Sequence, residues 1–141
     1  MTRCCLETKC IQCCIETNML LSYQDIETIE KIGYTKDFFV IEKKGWLQLK
    51  NLHGRCVFHN GNTCTIYDHR PEGCRLYPIV YDKTNRRTII DDECPQRHCF
   101  SFSKTRASQL ITLVRLLEEQ RTQRMKKKTT KKALENEDNY L

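Results

Sequence analysis

Ile26, Ile29 and Ile32 recur at near-helical spacing behind Leu20-Leu21-Ser22, and Ser22 is followed three residues on by Asp25, a variant of the capping box. Gly33 is a natural stop, so one short amphipathic helix is predicted, its acidic first turn suiting the positive end of the helix dipole. Over residues 38–67 the pattern changes to short β-rich runs: Phe38-Phe39-Val40-Ile41, Trp46-Leu47-Gln48-Leu49 and Cys56-Val57-Phe58. Asn60-Gly61, between that last run and Cys64-Thr65-Ile66-Tyr67, predicts a two-residue hairpin that brings Cys56 and Cys64 close together. Ile79-Val80-Tyr81 and Thr88-Ile89-Ile90 predict a second, looser hairpin. From Ser103 onward Leu110, Ile111, Leu113, Val114, Leu116 and Leu117 give a helix one broad apolar face. Its continuation over 121–132 is nearly all polar and is expected to extend into solvent or fray unless a partner orders it.

These elements make an α+β class: a small metal-stabilised domain with a short N-terminal helix, β-hairpins and a long C-terminal helix. Residues 1–103 are expected to form the cysteine-bearing domain and 104–141 an amphipathic, then basic, helix or tail. A chain of 141 residues has room for one modest core, and its 39 % hydrophobic content includes ten cysteines. A metal that binds only the folded state would add its binding free energy to stability, on the order of 10–16 kcal/mol for structural zinc in small peptides.

Charge is unevenly placed. Residues 1–103 carry 14 Lys and Arg against 13 Asp and Glu, whereas 104–132 carry 10 against only Glu118 and Glu119. Most of the net +6 therefore belongs to the tail. No apolar run approaches the roughly 20 residues of a membrane-spanning helix, and Met1-Thr2-Arg3-Cys4-Cys5 lacks the apolar stretch of a secretory signal. The expectation is a cytoplasmic protein with no membrane partner, whose thiols stay reduced, so that a disulfide scaffold is the weaker explanation of the cysteines.

Metal ligation is the stronger one. Zinc takes four tetrahedral ligands, commonly from two C-x2-C pairs, whereas iron–sulfur clusters use four thiolates at more scattered spacings. Cys10-x2-Cys13 is one such pair and no second exists, which leaves an ordinary zinc ribbon poorly supported. Cys5-x4-Cys10-x2-Cys13 coincides with the plant-ferredoxin spacing. Cys13 and Cys14 are consecutive, and in an extended segment they would point opposite ways. Either one is a core thiol or the bunch sits between two sites. None of His53, His59, His69 and His98 stands out as a ligand.

The assembled motifs resemble the YkgJ-type cysteine-cluster family, a zinc- or iron-chelating CxxCxxCC domain. The resemblance rests on Cys10-x2-Cys13-Cys14, Leu21-Ser22-Tyr23-Gln24-Asp25, Cys56-Val57-Phe58 ahead of Cys64-Thr65-Ile66-Tyr67, the run Arg70-Pro71-Glu72-Gly73-Cys74-Arg75-Leu76-Tyr77-Pro78, and Cys94-Pro95. The family's first cysteine falls at Glu7, with Cys4 and Cys5 just upstream. The ligand set that the resemblance implies is Cys5 (or Cys4), Cys10, Cys13, Cys14, Cys56, Cys64, Cys74 and Cys94, enough for two four-cysteine sites or for one cluster with reserve thiols. Cys99 lies outside the pattern and is a spare. The implied cofactor is an iron–sulfur cluster, of the 4Fe–4S kind, or zinc. In the Arg70-to-Arg75 turn, Pro71 can start a helical turn, Gly73 frees the backbone before Cys74, and Arg70 and Arg75 either offset the negative charge of a thiolate-held metal or are surface residues that bridge to Asp68 and Glu72.

Two functions follow as expectations. One is a metal-binding accessory module that contacts RNA, a ribonucleoprotein or a protein partner through Arg121, Arg124, Lys126, Lys127, Lys128, Lys131 and Lys132. The other is an enzyme: the cysteine signature also resembles that of flagellin lysine N-methylases, which implies iron–sulfur-dependent methylation of protein lysines. The five glycines fall singly, so no Gly-rich dinucleotide loop supports catalysis, and the C-x3-C-x2-C of radical enzymes is absent because Thr17 stands at its last position. Electron transfer or redox sensing through the cluster or a low-pKa thiol is a third class.

Overall fold

A computed structural model describes residues 12–138. Helix α1 spans Tyr23–Lys31 and is capped as its sequence predicts. The Asp25 amide donates to Ser22 Oγ, and the Ser22 amide donates to Asp25 Oδ2, both at 3.1 Å. Ile26 and Ile29 are buried on its inner face, while Ile32, just past the end, is exposed.

Three two-stranded antiparallel hairpins follow, interrupted by short helical turns. The helical turn α2 (Lys36–Phe39) takes Phe38 and Phe39 out of the strand expected there, and β1 begins at Val40. β1 (Val40–Lys43) pairs with β2 (Trp46–Leu49), and β3 (Asn51–Leu52) pairs with β4 (Arg55–Cys56). Both hairpins close through residue pairs with positive φ, Lys44-Gly45 and His53-Gly54, the arrangement a type I′ turn requires. The third hairpin joins β5 (Ile79–Asp82) to β6 (Arg87–Ile90) in the register Ile79 with Ile90, and matches its expected runs.

The Asn60-Gly61 hairpin is reduced to one bridge, between His59 and Cys64. Asn60 explains why: its side-chain oxygen accepts the amides of Asn62 and Thr63 at 2.9 and 3.0 Å, which holds residues 60–63 as a wider loop. Cys56 pairs with Asn51 in the preceding hairpin instead.

The core has two parts. Leu21, Ile26, Ile29, Phe39, Leu47, Leu49, Phe58 and Ile66 pack beneath the first two hairpins, with Cys14, Cys64 and Cys74 against them. Leu76 and Ile79 meet Leu110, Leu113 and Leu117 of the last helix, α4 (Lys104–Asp138). That helix runs on through the basic stretch without a break. The stretch is in part docked on the body, not wholly in solvent. Arg121 Nε donates to the Lys44 carbonyl, Arg124 donates twice to the Gly45 carbonyl, and Lys128 pairs with Glu42. Trp46 lies under the Arg121 guanidinium, 4.9 Å from ring centre to carbon. No helix of the described residues is long and apolar enough to cross a membrane.

Candidate metal centre

Cys13 and Cys14 lie on the 3-10 turn Gln12–Cys14, which is tied down just after it. The Glu16 amide donates to the Gly54 carbonyl at 2.9 Å, so the segment follows the β3–β4 turn. Asn51 adds a two-point clamp: its Oδ1 accepts the Thr17 amide at 3.0 Å and its Nδ2 donates to the Thr17 carbonyl at 2.9 Å. Cys56 ends β4, Cys64 follows the Asn60 loop, and Cys74 sits in the middle of helix α3 (Glu72–Leu76).

These segments converge. Cys13, Cys14, Cys56, Cys64 and Cys74 all line one cavity of about 300 Å³. The hairpin expectation fails in detail, but its consequence holds, since Cys56 and Cys64 share the cavity. The expectation that Cys13 and Cys14 face opposite ways does not hold, because the segment is a helical turn and their side chains are hydrogen-bonded to each other. Cys94 is buried and does not line the cavity; the amides of Cys94 and Arg97 tie its turn to Asp91 and to itself. Cys99 is disulfide-bonded, so it is not a spare thiol. Cys5 and Cys10, with Cys4, lie outside the described residues.

Helix α3 is positioned by a residue whose second task the sequence did not announce. Asp25 caps α1 with Oδ2, and its Oδ1 accepts the Glu72 amide at 3.0 Å, two residues before Cys74. One buried carboxylate thereby fixes both helix starts. Gly73 serves a different purpose from the one expected. Its φ is not positive; a Cβ there would come within 2.5 Å of Met19 Sδ, so the glycine gives room where α3 meets Met19.

The sulfurs feel one another. Hydrogen bonding from Cys14 lowers the Cys13 thiol to about 7, helped by its own amide and by Arg70, while the same bond and burial push Cys14 up. Burial raises Cys56 to about 11, with the Phe58 amide working the other way and Cys64 and Cys13 adding to the rise. Cys64 is raised by burial, against the Ile66 amide and Arg70, and Cys74 is raised well up by burial and by Cys13, Cys56 and Cys64. The two C-x-apolar motifs are thus equivalent: in each, the amide two residues on points at the cysteine's sulfur and favours thiolate. A cation among these sulfurs would relieve the repulsion that their ionisation meets.

The donor chemistry is therefore that of a soft metal. Spacing is less tight: among the described residues no three Cys, His, Asp or Glu side chains form a ready group around one ion. His59 lines the cavity, but its Nδ1 accepts the Gly61 amide at 3.0 Å, and burial lowers its pKa. Tyr77, which is part of the lining, donates to Asp91 Oδ2 at 2.6 Å. Arg106, which no sequence motif marked, joins Arg70 and Arg75 in the lining.

A small α+β domain that presents five thiols to one cavity belongs to the cysteine-cluster metal-binding class. The chain is a member of the CxxCxxCC family, described as "Putative zinc- or iron-chelating domain", whose model matches residues 4–95. No curated protein matches the chain, and no solved structure does.

Proposed function

We propose that the chain holds an iron–sulfur cluster through Cys13, Cys56, Cys64 and Cys74, with Cys14 as the hydrogen-bond donor to Cys13. The observation that carries this reading is the shared cavity. Zinc at about 2.3 Å from four sulfurs needs those sulfurs within roughly 4 Å of one another. A cavity of about 300 Å³ that takes thiols from four segments has room for a polynuclear centre. A bound cluster would supply one-electron redox chemistry. The protein's own part is to hold the thiols on four separate segments and to favour thiolate at Cys56 and Cys64 through the Phe58 and Ile66 amides. The family pattern leaves Cys5 (or Cys4), Cys10 and Cys94 either for a second site or as reserve thiols.

The test is iron, zinc and acid-labile sulfide analysis of protein purified without oxygen. Iron with matching sulfide and a visible absorption band is the expected result. Zinc without sulfide would overturn the cluster and leave the thiols as structural staples.

A nucleic-acid role rests on fewer residues than the basic run suggests. Arg121, Arg124 and Lys128 are engaged within the chain, whereas Lys126, Lys127, Lys131 and Lys132 are exposed. That exposed group supports phosphate contact with RNA. Salt-sensitive RNA retention that is lost when these four lysines become glutamine is the expected outcome, and retention unchanged by the substitutions would discard it.

A further inference from the structure

Besides its thiols the cavity is lined by Arg70, Arg75 and Arg106, and among the described residues by no aspartate or glutamate. Among the described residues none of the three arginines is in an ion pair. Arg70 is held in place by its Nε, which donates to the Tyr67 carbonyl at 2.9 Å, and by the Tyr67 ring 3.8 Å beneath its guanidinium. Arg106 reaches from α4 to the Arg75 carbonyl through Nη2. Arg70 and Arg106 are thus each anchored by part of the fork, and among the described residues neither meets a carboxylate. A thiolate-held zinc or four-iron cluster carries about two net negative charges. Three guanidinium groups outweigh that. The volume, about 300 Å³, lies at the lower end of small-molecule sites and exceeds what one ion needs. The segments that supply Phe100 and Arg106 bring no thiol to the cavity, and Arg106 lies beyond the family match.

We propose that the arginine side of this cavity binds a small oxyanion, a carboxylate or a phosphate, between Arg70 and Arg106 beside the thiol centre. The proposal rests on the metal reading above for the centre but not for the anion contacts, since the arginines are in place in the chain itself. Planar guanidinium forks suit two-oxygen groups, and the described lining brings no carboxylate to repel them.

The test is isothermal titration of the full-length protein, as purified, with inorganic phosphate and separately with malonate in a chloride buffer, with metal content measured on the same samples. Saturable binding of either anion is expected, and the tighter arm identifies phosphate or carboxylate as the ligand class. Arg106→Gln and Arg70→Gln should each weaken binding by about tenfold or more. Arg106→Lys, which keeps the charge but loses the planar fork, should fall between the native protein and Arg106→Gln, and unchanged metal content shows that the variants are folded. Binding without any bound metal would support the anion site while removing the metal reading. No binding of either anion to metal-bearing protein, or binding indifferent to both glutamine variants, would overturn the proposal and leave the metal reading intact.

Discussion

Replacing Asp25 with alanine should cost about 3–5 kcal/mol, far more than the loss of an ordinary helix cap. The carboxylate accepts the Ser22 amide at 3.1 Å and the Glu72 amide at 3.0 Å, and the residue is only 7 % exposed. Hydrogen bonds to a charged group contribute roughly 1.5–3 kcal/mol each, and removing the acceptor leaves two amides short of a partner where water has little access. Ser22→Ala is the internal control, because it deletes the Ser22 Oγ acceptor for the Asp25 amide and leaves the link to Glu72 in place. A cap loss of that kind costs about 1 kcal/mol. Asp25→Asn keeps one acceptor oxygen and should fall between the two, at about 2 kcal/mol. Urea unfolding of the metal-free protein measures all three, with the slope of each transition checked so that only the midpoint moves. The same variants should lose metal in the same order, because the Glu72 amide starts the helix that carries Cys74. An Asp25→Ala protein within about 0.5 kcal/mol of Ser22→Ala would refute the reasoning, for it would show that the carboxylate does nothing for α3.

Other outcomes follow from the same geometry. Because burial holds Cys56 up at about 11 and raises Cys64 and Cys74, metal must displace about three protons at neutral pH, so affinity should fall by about a thousandfold per unit of acidification in competition with a chelator. The metal-free protein should behave oppositely. Thiol pKa values raised above their unfolded value give stability that is present below that value, so denaturant midpoints should drop as pH climbs from about 9 towards 11. Serine at Cys56, Cys64 or Cys74 should release the centre, whereas Cys94→Ser, away from the cavity lining, should retain it, as metal analysis will show. Gly45→Ala should destabilise by about 1–2 kcal/mol in thermal or urea unfolding, because φ there is +83° and a new Cβ would press on Met125 Sδ of α4.

Local chemistry made much of this protein readable from its residues. The Ser22–Asp25 capping box, the β5 and β6 runs and the apolar face of α4 are short-range patterns, and each forms where its own sequence dictates. The Lys44-Gly45 and His53-Gly54 turns were also present in the sequence, but a glycine preceded by a long or aromatic side chain signals a turn less clearly than Asn-Gly. Asn60-Gly61 gave the stronger signal and the weaker hairpin, since the asparagine side chain satisfied the loop amides that a tight turn would have left to the ladder.

The order of residues alone establishes the presence of many thiols, their motif and the family they mark. It could not say which thiols meet. Cys13, Cys56, Cys64 and Cys74 belong to four segments whose approach depends on long-range bonds such as Glu16 to Gly54, Asn51 to Thr17 and Glu72 to Asp25. That Cys94 stands off the cavity, and that Arg106 of a distant helix joins Arg70 and Arg75 in its lining, emerged only on folding. The basic tail makes the same point. Its charge is plain in the sequence, but docking of α4 on the β1–β2 turn commits Arg121, Arg124 and Lys128 to the protein itself. Spacing along a chain fixes local geometry within a turn or two, whereas a site built from residues more than forty positions apart exists only once the core has brought its segments together.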